Sequence, residues 1–218
     1  MIFYGRKILF VGAHPDDIEL GCGALLAHLQ GKTDALCVTL SDNQKNPALK
    51  DIVQEHYRSM AVLGMPRDRI VIRDFETRYF PRDRQAILEY LYELNRQHRP
   101  EIVFVHSGAD IHQDHLVVRD EALRAFRGTT VLGFDVLRSS YGFFPHFLAQ
   151  VTEADVESKV RALAEYRTYC STYYFDPAVI RATMIRQGAL AERPYAEGFD
   201  ILRIVGRFEV CLTDGPSP

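Results

Sequence analysis

The 218-residue chain has only four cysteines, Cys22, Cys37, Cys170 and Cys211, and no C-x-x-C pair among them. That scatter excludes a disulfide framework and a thiolate zinc site, leaving small core thiols in a reducing compartment. No apolar run is long enough to span a bilayer. The short apolar stretch after Arg6 and Lys7 ends in Asp16, Asp17 and Glu19 without a cleavage-type site, so it reads as a strand and not a secretory leader. Excess charge is also missing: 26 basic against 29 acidic residues give a formal charge of -3, no field that would recruit nucleic acid. Gly21-Cys22-Gly23 lacks the third glycine of a dinucleotide fingerprint, and the neighbouring acids would repel a pyrophosphate. Linkers, repeats and low-complexity runs are absent too. What remains is one cytoplasmic globular domain over 1–218, with 47% hydrophobic and 25% charged residues.

The chain is organised around Ile8-Leu9-Phe10-Val11-Gly12-Ala13-His14-Pro15-Asp16-Asp17, an apolar run that ends in one imidazole and two adjacent carboxylates. Such runs read as central strands of a parallel sheet, and ligands of open α/β sheets collect beyond the carboxyl ends of those strands. Glu101-Ile102-Val103-Phe104-Val105-His106 has the same construction and runs into Asp110-Ile111-His112-Gln113-Asp114-His115. If the two strands are parallel neighbours, their ends lie roughly 5 Å apart, and side chains from both can meet on one ion.

Elsewhere strands and helices alternate. Strands are expected over 34–41, 69–74 and 130–136, with helices starting at Ala24 and over 48–63, 82–98 and 116–126. This alternation implies a Rossmann-like, mostly parallel sheet with helices on both faces. Helices over 155–166 and 179–190, a late strand over 201–210 and the aromatic segments around Tyr141 and 166–175 form a C-terminal part that caps the active site. The tail over 214–218 is expected to fray.

A carboxylate and two imidazoles with one open position describe a catalytic zinc site, and His14, Asp17 and one of His112 or His115 would suffice. Zinc brings the pKa of bound water toward about 7 and polarises a carbonyl, and ferrous iron accepts a similar ligand set. Asp16 could then take the proton and the remaining histidine could donate one. The plain structural reading is that Asp16 and Asp17 cap a helix, as aspartates commonly do. Two such clusters at two strand ends favour a site instead. His28, His56, His98 and His146 read as surface or capping residues, and His106 as a core imidazole or one supporting a ligand. Arg138 and Tyr141, beyond the fifth strand, are candidate substrate contacts.

Ala13-His14-Pro15-Asp16-Asp17 with Glu19-Leu20-Gly21-Cys22-Gly23, the later His112-Gln113-Asp114-His115 and the run Tyr195-Ala196-Glu197-Gly198-Phe199 together resemble the LmbE-like (PIG-L) family of zinc-dependent N-deacetylases. The resemblance implies that His14, Asp17 and His115 bind zinc, that Asp16 is the general base, that His112 steadies the tetrahedral intermediate or protonates the amine, and that Asp114 orients His112. It implies an N-acetylated sugar or sugar conjugate as substrate, with Asn43 and Tyr195 joining the substrate contacts, and self-association without a fixed stoichiometry. Two departures bear on those contacts: Ser41-Asp42-Asn43-Gln44-Lys45-Asn46 replaces a glycine- and glutamate-bearing loop, and Ile52 stands where relatives often carry arginine. A metal-dependent hydrolase for another amide or a phosphoester would use the same open site, whereas a non-enzymatic sugar- or nucleotide-binding module would lack one of the acids or imidazoles.

Overall fold

A computed structural model describes residues 3–206. Strands β1 (Lys7–Gly12), β2 (Asp34–Thr39), β3 (Ile70–Ile72), β4 (Ile102–His106) and β5 (Thr130–Phe134) run parallel. They belong to a seven-stranded sheet that β6 (Phe147–Gln150) and β7 (Ala196–Arg203) complete, in the order β3-β2-β1-β4-β5-β7-β6. β7 is antiparallel to both β5 and β6. The chain winds outward from β1 to β3, then returns to place β4 on the other side of β1. The two strands that end in imidazoles and carboxylates therefore flank the switch point, where open sheets leave a crevice.

Strict alternation along the central strands sends side chains to two cores. Ile8 and Phe10 of β1 and Phe104 of β4 pack with helices α1 (Asp17–Leu29), α2 (Ile52–Val62) and α5 (Glu153–Ala164) through Leu25, Leu26, Met60 and Leu163. Leu9, Val11, Val103 and Val105 face the other way, onto α3 (Phe80–His98) and α4 (Gln113–Ala125) through Ile87, Leu91, Val117 and Val118. The last helix, α6 (Pro177–Leu190), lies beside β7. Among the described residues no helix is long and apolar enough to cross a membrane.

Two expectations are corrected by packing. The first helix starts at Asp17 and not at Ala24, so Gly21 and Gly23 lie inside it. They are needed for close approach, since a Cβ at Gly21 would lie 2.3 Å from the Phe134 ring and one at Gly23 would lie 2.9 Å from the Lys159 stem. The late strand begins at Ala196 and runs to Arg203, so of the described residues 201–206 it takes in 201–203; 207–210, Cys211 and the tail over 214–218 lie outside the described residues. Its polar start is paid for by burial of Glu197 against Lys159 (2.6 Å), with the Glu197 carboxylate also accepting the Ala24 and Leu25 amides of α1. The short edge strand β6 was not legible as a strand at all.

Candidate active site

β1 delivers His14, Asp16 and Asp17 on the turn into α1, and β4 delivers Asp110, His112, Asp114 and His115 on the turn into α4. Asp16 occupies the position before α1 yet caps no backbone amide; it is buried with φ 108°. That conformation costs a non-glycine residue about 1–3 kcal/mol and persists only where the surroundings enforce it. Helix capping thus fails as an account of Asp16. His112, in contrast, does cap α4, accepting the Asp114 amide at Nδ1.

Three donor atoms converge. His14 Nδ1 and His115 Nε2 are 3.2 Å apart, and each is 3.5 Å from Asp17 Oδ2. A tetrahedral zinc ion with bonds of about 2.0–2.1 Å needs donor separations of about 3.3–3.4 Å. The remaining nitrogens are committed to carboxylates: His14 Nε2 to Asp114 Oδ2 at 3.0 Å and His115 Nδ1 to Asp110 Oδ2 at 2.8 Å. With protons held on those nitrogens, both imidazole lone pairs and a carboxylate oxygen point at one spot, the arrangement a cation satisfies. His112 and His106 also lie close enough to be considered as ligands. His112 Nδ1 accepts the Asp114 amide and His106 Nε2 accepts the Ala13 amide, so in the neutral ring each opposite nitrogen carries the proton and is a donor, not a ligand. The donor set His14, Asp17 and His115 remains.

Packed together out of water, these groups shift one another's pKa values in opposite directions. Burial works to lower the His14 pKa, but hydrogen bonds and charges of Asp114 and Asp17 outweigh it and push it up to about 10. Burial works to raise Asp17, but the facing His115, His106 and His14 rings hold it well below the usual carboxylate range. Asp16 is pushed well up, by burial first and the charge of Asp17 second. His112 is pulled down to about 4 by burial and by the neighbouring His115 and His14.

The donors floor a cleft of about 490 Å³. Asp16, His112, Asn43, Arg138 and Tyr141 line it together with Thr77, Arg78, Tyr169 and Tyr174. The structure separates one candidate from the rest: Tyr195 packs against Ala24, Val151, Val156 and Met184, away from the cleft, because it precedes β7 on the side that faces α5 and α6. Of the C-terminal part, the aromatic segments carrying Tyr141 and Tyr169 to Tyr174 reach the cleft; β6 and β7 extend the sheet instead.

Asp114 serves a different ring from the one expected. Its carboxylate holds His14 and accepts the Arg78 and Phe80 amides, and it positions His112 through its backbone amide alone. Asp110, which the sequence did not single out, holds His115 and also accepts Ser139 Oγ (3.0 Å) and the His112 amide (2.8 Å). Its place two residues before His112, on the same turn, was the available signal. His56 is also corrected: it is fully buried, with Nδ1 against Glu19 and Tyr166 and Nε2 near Thr39. His106 is buried under His115, the rings stacked 3.8 Å apart.

Fold and site together define a doubly wound α/β protein whose strand-end cleft carries a His/Asp cluster that could hold a metal ion. Residues 9–126 match the family described as PIG-L, GlcNAc-PI de-N-acetylase. The uncharacterized deacetylase YaiS of Escherichia coli K12 is 31% identical over 169 residues, which cover 75% of this chain and 91% of YaiS. The chain belongs to the PIG-L (LmbE-like) family of deacetylases. Among solved structures, N,N'-diacetylchitobiose deacetylase from Pyrococcus horikoshii superposes with a TM-score of 0.72 at 17% identity, over 90% of this chain and 84% of that one. The 4-carboxy-2-hydroxymuconate hydratase GalB from Pseudomonas putida KT2440 has a TM-score of 0.72 at 18% identity, over 93% and 99%. The fold is thus common to a deacetylase and a hydratase, and the reaction must be read from the site.

Proposed function

We propose that this chain is a zinc-dependent N-deacetylase that hydrolyses the acetamide of an N-acetyl amino sugar or its conjugate, releasing acetate and a free amine. The observation that carries the reading is the convergence of His14 Nδ1, Asp17 Oδ2 and His115 Nε2 at 3.2–3.5 Å on the floor of a sugar-sized cleft. When bound there, zinc supplies Lewis acidity toward a carbonyl oxygen and makes water a better nucleophile at neutral pH.

The chain's own groups flank that spot. Asp16 lines the cleft beside the donors, its carboxylate uncommitted to helix capping, and takes a proton from the attacking water. His112 keeps its proton on Nε2 because Nδ1 accepts the Asp114 amide, so it offers an N–H to the developing oxyanion, while the proton that Asp16 takes from the water passes to the departing amine. Asp114 and Asp110 hold the two imidazole donors in their tautomers. Arg138, over the Tyr174 ring at 5.7 Å, together with Tyr141 and Asn43, offers polar and stacking contacts to a sugar.

Asp16→Ala is expected to retain zinc by elemental analysis while acetate release from N-acetylated sugars falls by about a hundredfold or more, the scale of a general base. His115→Ala is expected to lose zinc. Near-normal turnover by Asp16→Ala, or acetate release undiminished after exhaustive chelation of folded protein, refutes the reading. Phosphate release from chromogenic phosphoesters in place of acetate would assign the site to the other hydrolase class.

A further inference from the structure

A second chamber of about 420 Å³ adjoins the cleft and shares Asn43, Leu49, Thr77 and Arg78 with it. These residues form the waist of one groove. The waist is braced across its loops: Thr77 Oγ1 bonds Asn43 Oδ1 and lies 2.8 Å from Ser41 Oγ.

Arg78 is the unusual member. Its φ is 72°, a left-handed backbone that costs a side-chain-bearing residue about 1–2 kcal/mol and that glycine would adopt freely. Both backbone polar groups are clamped: the amide donates to Asp114 Oδ2 at 2.6 Å and the carbonyl accepts from Gln113 Nε2. Its guanidinium, by contrast, has no carboxylate or hydrogen-bond partner among the described residues. The neighbouring cations Lys45 and Arg82 are both occupied by Glu76. A strained residue with a fixed root and a free planar cation, placed at the waist of a groove, is built to meet something brought by a ligand. Because Asp114 Oδ2 also holds His14 Nε2, that root is in register with the zinc donors.

We propose that Arg78 is a specificity residue for an anionic substituent, a phosphate ester or a carboxylate, borne by the N-acetyl amino sugar. This rests on the deacetylase reading. Asp16 and Asp17 disfavour an anion at the cleft floor, so with the acetamide at the donors the anion lies toward the waist, where the guanidinium forks onto two of its oxygens.

The test uses N-acetylglucosamine, its 1-phosphate and a carboxylate-bearing ether of the same sugar on zinc-loaded wild-type protein, Arg78→Gly and Arg78→Lys. Arg78→Gly relieves the backbone strain and so keeps the fold. Wild type is expected to prefer an anionic substrate in kcat/KM, and Arg78→Gly to lower that anionic-to-neutral ratio about ten- to a hundredfold through KM, as loss of a charge-assisted pair predicts. Arg78→Lys restores part of it. The two anionic arms distinguish phosphate from carboxylate. No anionic preference in wild type, or the same ratio in Arg78→Gly, overturns the proposal. If no substrate releases acetate, the deacetylase reading fails, and calorimetric titration of the 1-phosphate then decides Arg78 separately. Equal affinity of wild type and Arg78→Gly, or no binding by either, overturns it.

Discussion

Asp110→Asn is the most informative single perturbation of the donor set. Asp110 accepts three hydrogen bonds: from His115 Nδ1 at 2.8 Å and Ser139 Oγ at 3.0 Å on one oxygen, and from the His112 amide at 2.8 Å on the other. Although burial works against its charge, the His115 hydrogen bond holds the Asp110 pKa below the usual carboxylate range. Asparagine keeps the shape but offers one acceptor oxygen. Whichever way the amide turns, its NH2 faces a donor, either the His112 amide or the His115 and Ser139 pair. Loss of a hydrogen bond to a charged group costs about 1.5–3 kcal/mol. Loss of a partner that orients a metal-bound histidine typically costs ten- to a hundredfold in metal affinity, which is about 1.4–2.8 kcal/mol, so two independent routes agree. Competition titration against a chromogenic chelator should therefore show the zinc Kd raised by about ten- to a hundredfold, with circular dichroism unchanged and part of the activity recovered at saturating zinc. A folded variant with wild-type zinc affinity refutes the assignment of Asp110 as the group that holds His115.

Gly21→Ala is expected to destabilise by up to about 2 kcal/mol in urea unfolding, because overpacking against Phe134 costs about 1–3 kcal/mol against a helix-propensity gain of about 1 kcal/mol; a stabilised variant contradicts the close-approach account. Glu197→Gln leaves the buried Lys159 ammonium without its counter-charge and should cost about 3–5 kcal/mol, with Lys159→Met in the same chain recovering part of the loss; wild-type stability of the single variant would show the pair to be dispensable. Tyr195→Phe, remote from the cleft, should leave KM for an N-acetylated sugar unchanged, and a raised KM would return Tyr195 to the substrate site.

The candidate site was legible because its residues are short-range punctuation. His14 to Asp17 and Asp110 to His115 each stand directly after an apolar run, so a strand end and its ligands can be read within one stretch of chain. Asp110 was overlooked beside them because a carboxylate that orients a histidine has no local mark to distinguish it from one that caps a helix. His56 misled for a related reason: a histidine on a helix reads as solvated unless Glu19 and Tyr166, far off in the chain, are known to meet it. The start of β7 was hidden because Glu197 and Gly198 look like loop residues, and only Lys159, Pro145 and Gln187 make them strand residues.

By itself the sequence determined the alternating strands and helices, the parallel sheet and the two ligand-bearing turns, since hydrophobic periodicity and strand-end chemistry are local properties. Tertiary structure alone decided which imidazole nitrogens converge with Asp17, that Asp114 serves His14, that Tyr195 turns away, and that Arg78 stands at the waist of a second chamber. Those are pairings between residues distant in sequence, and their choice depends on which hydrogen-bond donor occupies each ring nitrogen once the strands are side by side.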